Sequence, residues 1–224
     1  MRTMNPNPSI ILASTSPRRR ELVTVYGLTF QFTSADIDET PRTNEAPDAL
    51  VRRLSHAKAE LGARAFPDAI VVGSDTIVAI DDTILGKPKD ADDATRMLTL
   101  LRGRPHAVYS GVTVLRGAQA LTQVATTTVH MRNYSDQEIA AFVATGEPLD
   151  KAAAYAIQNG KFKPVEYMEG CFANVMGLPL CHLYRALNTF GVTNQPPDRA
   201  CQEYLNIVCF EAERVLEEPM PSFD

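Results

Sequence analysis

Residues 70–80 read IVVGSDTIVAI, an apolar strand broken by a Gly-Ser-Asp triplet. Asp75, behind Gly73 and Ser74, is read as closing the apolar part of that strand. An acid there does not belong to a core, and at the carboxyl end of a sheet strand it faces the crevice where α/β proteins bind ligands. A capping or turn role for Asp75 stays open beside that reading.

Working upstream, Ser9–Ala13 (SIILA) is a short strand, and Pro17–Tyr26 is a helix with Leu22, Val23 and Tyr26 at helical spacing. Phe30–Thr33 reads as a strand, and Asp48–Phe66 as a long helix with Leu50, Leu54, Ala57 and Leu61 on one face. Downstream, Asp90–Leu101 is helical and closed by Gly103. Ala107–Leu115 and Leu121–Met131 are rich in Val and Thr and form a hairpin through the short Arg116–Gln119 link. Ser135–Thr145 opens with a capping box, Ser135 with Glu138, and Leu180–Phe190 is the last clear helix. This alternation gives an α/β fold, a mixed sheet with helices on its faces. Residues 1–190 form one domain, and residues 191–224 are an appended segment with a possible helix near Cys201–Leu216 and mobile ends.

The chain has 224 residues, 45% apolar and 22% charged, enough for one packed domain, or one domain of two lobes. Twenty-two Lys and Arg against 27 Asp and Glu give a net charge of −5, which argues against non-specific nucleic-acid binding. A polyanionic ligand must then be met by a local basic cluster. No apolar run approaches the roughly 20 residues that span a bilayer, and MRTMNPNPSIILAS lacks the long apolar core of a signal peptide. A cytoplasmic protein is expected. Cys171, Cys181, Cys201 and Cys209 match no common zinc spacing and read as reduced structural thiols; His182 beside Cys181 leaves a metal alternative open.

The stretch ASTSPRRREL carries the clearest chemistry. Ser16 is placed to cap a helix whose first residue is Pro17, an arrangement that leaves free backbone N–H groups at the end of a strand. Arg18, Arg19 and Arg20 lie in that first turn, where the helix dipole repels cations, so an anion is expected to offset the repulsion. Solvation, or pairing with acids such as Glu21, is the alternative. Ser14, Thr15 and Ser16 favour phosphate, since small hydroxylated residues let the backbone come close and Arg makes bidentate contacts. Lys87 sits between Gly86 and Pro88 in a constrained turn and suits phosphate as a point charge. Lys58 and Glu39, taken singly, read as solvated surface residues.

Taken together, STSPRR, DIDET, HAKA, GSDTIV, GKP, YAIQ and GLPL, in order from Ile10 to Phe190, resemble the Maf family of nucleoside triphosphate pyrophosphatases. The resemblance implies a fold similar to inosine triphosphate pyrophosphatases, an elongated mixed sheet flanked by helices with two lobes around a cleft, and a homodimer. It implies cleavage of a nucleoside triphosphate between the α and β phosphates with a divalent metal, Mg2+ or Mn2+. By motif position, Ser14, Arg19, Lys58 and Lys87 would hold the triphosphate, with Ser16 beside them. Glu39 would sit by the metal, and Asp75 would be the catalytic acid-base residue or a metal ligand.

Arg18, Thr76 and Gln158 occupy the positions at which the family's subgroups differ, and the set resembles the subgroup acting on dTTP and UTP. A Gln amide offers one donor and one acceptor to the O4 and N3–H edge of uracil or thymine. Lys161 and Lys163 depart from the simplest pattern, as base-pocket residues or as loop charges. A pyrophosphatase of other base preference, such as 7-methyl-GTP or CTP, or a nucleotide-binding regulator of septum formation, uses the same residues.

Overall fold

A computed structural model describes residues 8–81, 83–219 and 222–223. The expectations for the first residues and the last few therefore fall partly outside the described residues.

The strands are β1 (Ile10–Ala13), β2 (Phe30–Thr33), β3 (Ile70–Ile80), β4 (Thr83–Leu85), β5 (Pro105–Arg116), β6 (Gln119–Met131) and β7 (Val165–Glu169). They form one sheet in the order β2-β1-β3-β5-β6-β7, with β4 pairing β3 off that path. The β1 pairings with β2 and β3 are parallel, and the remaining pairings are antiparallel. The helices are α1 (Pro17–Val23), α2 (Pro47–Ala65), α3 (Ala91–Leu101), α4 (Asp136–Val143), α5 (Phe172–Met176), α6 (Leu180–Thr189), α7 (Asp198–Leu205) and α8 (Glu211–Glu217).

The period-2 alternation of β3 explains the layering. Val71, Gly73, Asp75 and Ile77 point towards α2, where Ile77 packs with Leu50, Val51 and Leu54. Ile70 and Val72 point the other way, into a core with α1, α5 and α6. Val78 and Ile80, on that same face further along the strand, join a second core with α3 and α4. Between the two cores the strand presents Ser74 and Thr76, and β5 presents Ser110. A polar stripe thus separates two apolar clusters on one sheet face, and long strands carry both.

Two glycines set how close α2 comes. A Cβ on Gly73 would lie 2.1 Å from the Ser55 carbonyl oxygen, and one on Gly111 would lie 2.3 Å from that of Val51. The α2 backbone therefore rests directly on β3 and β5, and this brings Lys58 within reach of Asp75.

Several expectations change. Asp75 lies in the middle of an 11-residue strand, not at its end. The helix expected over Pro17–Tyr26 is α-helical only to Val23 and finishes as a 3-10 turn at Thr24–Tyr26. The single helix near Cys201–Leu216 is two, α7 and α8, because Asn206 adopts a left-handed φ of 52°. The appended segment folds back on the domain: Val192 and Cys201 enter the α6 core, and Ala212 and Val215 pack on Cys181. The four thiols are free, and burial pushes Cys171 up to about 11 and Cys201 up to about 12. The capping box at Ser135 and the two-residue hairpin turn closed by the Arg116–Gln119 pair form as expected. Among the described residues, no helix is long and apolar enough to cross a membrane.

Candidate active site

The crevice arises from a mismatch in strand length. β1 pairs β3 only as far as Ala13 with Gly73, and β4 begins pairing at Val78 with Leu85. Ser74–Ile77 therefore face an open edge, and Asp75 and Thr76, on opposite sheet faces, both reach the same space. That space is a cavity of about 690 Å³, within the size range of ligand pockets. Ser14, Ser16, Arg18, Arg19, Glu39, Lys58, Asp75, Thr76, Lys87 and Gln158 all line it.

Lys58 Nζ donates to Asp75 Oδ1 at 2.5 Å and to Glu39 Oε1 at 2.5 Å. The expectation of a solvated Lys58 is corrected: Lys58 and Asp75 are each 6% exposed, with α2 flush on Gly73 and the Lys58 side chain lining the cavity. Glu39 lies in the loop before α2 and is exposed, as expected. An ammonium has three donors, so Lys58 keeps one beyond these two bonds.

The first turn of α1 forms the opposite wall. Ser16 occupies the N-cap position but its hydroxyl makes no capping bond; its N–H donates instead to Ser14 Oγ at 3.2 Å. Arg19 donates to the Gly177 carbonyl at 2.8 Å and to Thr76 Oγ1 at 3.1 Å, tying α1 to β3 and to the turn after α5. Burial lowers the Arg19 guanidinium from its ordinary value, and the charges of Asp75 and Glu39 oppose that shift. Arginine stays charged through such a shift. Arg20 turns away, its guanidinium donating to the Ser14 carbonyl and stacking 5.0 Å from the Phe32 ring centroid. Among the described residues, none of the three arginines is in a direct ion pair; Asp75 and Glu39 act on Arg19, and Asp150 on Arg18, only at longer range.

Lys87 and Gln158 are exposed on the cavity wall. Lys161 and Lys163 are exposed and lie off the cavity, which leaves them as loop charges. Asp150, Ser34 and Ala35 line the cavity outside the quoted motifs, and Asp36 and Ile37 of DIDET and Gly177 of GLPL line it without having been given a role. Asp150 gives no signal as an isolated surface acid. Gly177, with φ 114°, stands in the late GLPL stretch, and a Cβ there would lie 3.3 Å from Arg19 Nε.

The lining is of two kinds: Ser14, Arg19, Lys58, Lys87 and the carboxylates of Asp36, Glu39, Asp75 and Asp150 are polar, and Val78, Val108, Tyr155, Ile157, Val175 and Met176 add apolar surface. A ligand that carries both charged groups and apolar surface suits such a lining.

The family described as Maf-like protein matches residues 9–190, leaving 191–224 outside the match. A dTTP/UTP pyrophosphatase of Pelotomaculum thermopropionicum is 44% identical over 184 residues, covering 81% of this chain and 96% of that protein. One of Geotalea uraniireducens is 44% identical over 190 residues, covering 84% and 98%. One of Shewanella denitrificans is 47% identical over 178 residues, covering 76% and 90%. Among solved structures, the Ham1 protein of Staphylococcus aureus aligns with a TM-score of 0.41 and 13% identity over 56% of this chain and 72% of that one. By the extent of the family match and of these identities, the chain belongs to the Maf family.

Proposed function

We propose that the protein is a nucleoside triphosphate pyrophosphatase that hydrolyses dTTP and UTP to the monophosphate and pyrophosphate. The observation that carries this reading is the Asp75–Lys58–Glu39 cluster facing the Ser14–Arg19 turn across one cavity. Relatives named dTTP/UTP pyrophosphatase, at 44% identity over nearly their whole length, support the same substrates.

A triphosphate carries close to four negative charges, and the charge shifts onto pyrophosphate as the α–β bridge breaks. Arg18, Arg19 and Lys87, the third donor of Lys58 and the free N–H groups of the first α1 turn would hold those oxygens. Glu39 and Asp75 supply hard carboxylate oxygens on one side of the cavity, a donor set that suits Mg2+ or Mn2+ shared with phosphate oxygens and water. When bound, such an ion would stabilise charge on the phosphates. Asp75 would accept the proton of the attacking water on Oδ2, with Lys58 holding Oδ1. Gln158, with Arg18 and Thr76, would select the pyrimidine edge by one donor and one acceptor.

The net charge of −5 supports a free nucleotide, and neither a nucleic acid nor a membrane, as the partner. A cytoplasmic location and a homodimer go with the family resemblance. Pyrophosphate release with Mg2+ or Mn2+ across dTTP, UTP, CTP, GTP, ATP and 7-methyl-GTP tests the reading. Release confined to dTTP and UTP is expected; release from a purine alone would remove the base assignment, and release from none would remove the activity.

A further inference from the structure

Tyr155 lines the cavity, and its hydroxyl meets His106 Nε2 at 2.7 Å. His106 is 4% exposed on β5, and the two rings meet edge to face at 5.3 Å. The segment before Tyr155 is unusual: Ala153 and Ala154 both take left-handed φ values, 55° and 63°, and both are fully buried. L-residues disfavour that region, so such a turn persists only where neighbours hold it. Two holds are present. The Ala153 N–H donates to the Gly86 carbonyl at 2.9 Å, one residue before Lys87, and Tyr155 is fixed to the sheet through His106. Gln158 follows three residues on, inside a turn closed by the Asn159 N–H on the Ala156 carbonyl.

We infer that His106 is a positioning residue for substrate binding: by holding the Tyr155 hydroxyl it fixes the wall that carries both Gln158 and, through the Ala153–Gly86 bond, Lys87. The inference rests on the proposed nucleotide site and adds to it a residue that touches no substrate. It explains why a histidine is kept in the α3 and α4 core, where burial pushes it down to about 4 and leaves it neutral. A neutral imidazole offers one donor and one acceptor, enough for a hydroxyl.

The test compares Tyr155→Phe, His106→Leu and His106→Gln with the wild-type chain. Tyr155→Phe keeps the ring and removes only the bond, so folding is not at issue. Both Tyr155→Phe and His106→Leu are expected to raise KM for UTP and dTTP at least about fivefold with kcat within about twofold. His106→Gln, which can still bond the hydroxyl, is expected to return KM towards the wild-type value. Amide exchange at Ala153 is expected to quicken about tenfold in the first two variants. An unchanged KM and an unchanged Ala153 exchange in Tyr155→Phe would overturn the inference, as would His106→Gln behaving like His106→Leu. If the wild-type chain hydrolyses no nucleotide, the proposed function fails, and the exchange at Ala153 still decides the positioning role.

Discussion

Lys58 Nζ lies 2.5 Å from Asp75 Oδ1, in a place where neither side chain is more than 8% exposed. Each charge compensates the other's loss of water, and removing one leaves the other unpaired, at a cost of about 3–5 kcal/mol for a buried pair. Lys58→Met is therefore expected to lower unfolding stability by about 3 kcal/mol. Lys58→Met with Asp75→Leu is expected to regain much of that loss, because no buried charge is left unpaired and Glu39 stays exposed to water. Urea unfolding of the two variants checks this; equal losses would show that the pair is solvated.

The approach of α2 to the sheet predicts a sharper effect at a smaller side chain. Gly73→Ala would place a methyl 2.1 Å from the Ser55 carbonyl oxygen and 2.5 Å from the Ala59 nitrogen. Backbone cannot yield as a flexible side chain does, so α2 must lift. A loss of at least about 1–3 kcal/mol is expected, with a fall in turnover because Lys58 and Asp75 ride on the two displaced elements. A variant as stable and active as wild type would place α2 further from β3.

Much of this was legible in the residues. The Ile70–Ile80 strand, the capping box and the hairpin follow from local pattern, and the site residues from motifs at compatible spacing. Burial of Lys58 was not legible, since a lysine on a helix with a partner 17 residues away in sequence looks solvated until Gly73 and Gly111 are seen beneath it. The open edge at Ser74–Ile77 depends on where β1 and β4 stop relative to β3, which is pairing information. The left-handed alanines at 153 and 154 carry no signal of their own, because alanine rarely adopts that conformation. The strand β7 was missed because its faces are mostly exposed at the sheet edge, so apolar alternation is weak.

Base selection is expected to rest on Gln158. Gln158→Glu replaces an amide that donates once with a carboxylate that only accepts, so the pairing with the uracil or thymine edge loses its donor. The ratio of kcat/KM for UTP and dTTP to that for GTP is expected to fall by an amount worth about 1–3 kcal/mol. A substrate panel on the variant measures it, and an unchanged profile would take Gln158 out of base recognition.

His106, buried, and His182, half-buried, are expected to shape the acid side of the stability curve. Burial pushes His106 and His182 down to about 4 in the folded chain, while the unfolded chain takes up those protons near 6.5. Between those values the unfolded state binds more protons, so stability is full above about pH 6.5 and is lost as pH falls towards 4. For His106, 4% exposed, the loss across that window is on the order of 3 kcal/mol. Glu45 and Glu138, held at about 2 by Arg53 and Arg132, lose their contribution only at lower pH. Urea midpoints at pH 7 and pH 5 are expected to differ less in His106→Gln than in wild type; the same difference in both would assign the slope to other groups.

The most direct test of the proposed chemistry is product analysis of UTP turnover by wild type and by Asp75→Asn, with nucleotide binding measured alongside. Asn keeps the shape and a bond to Lys58 but is a poor base, so binding is expected to persist while release of UMP and pyrophosphate falls by about 10²–10⁴-fold. Release of UDP and orthophosphate by the wild type, or a wild-type rate from Asp75→Asn, would contradict it.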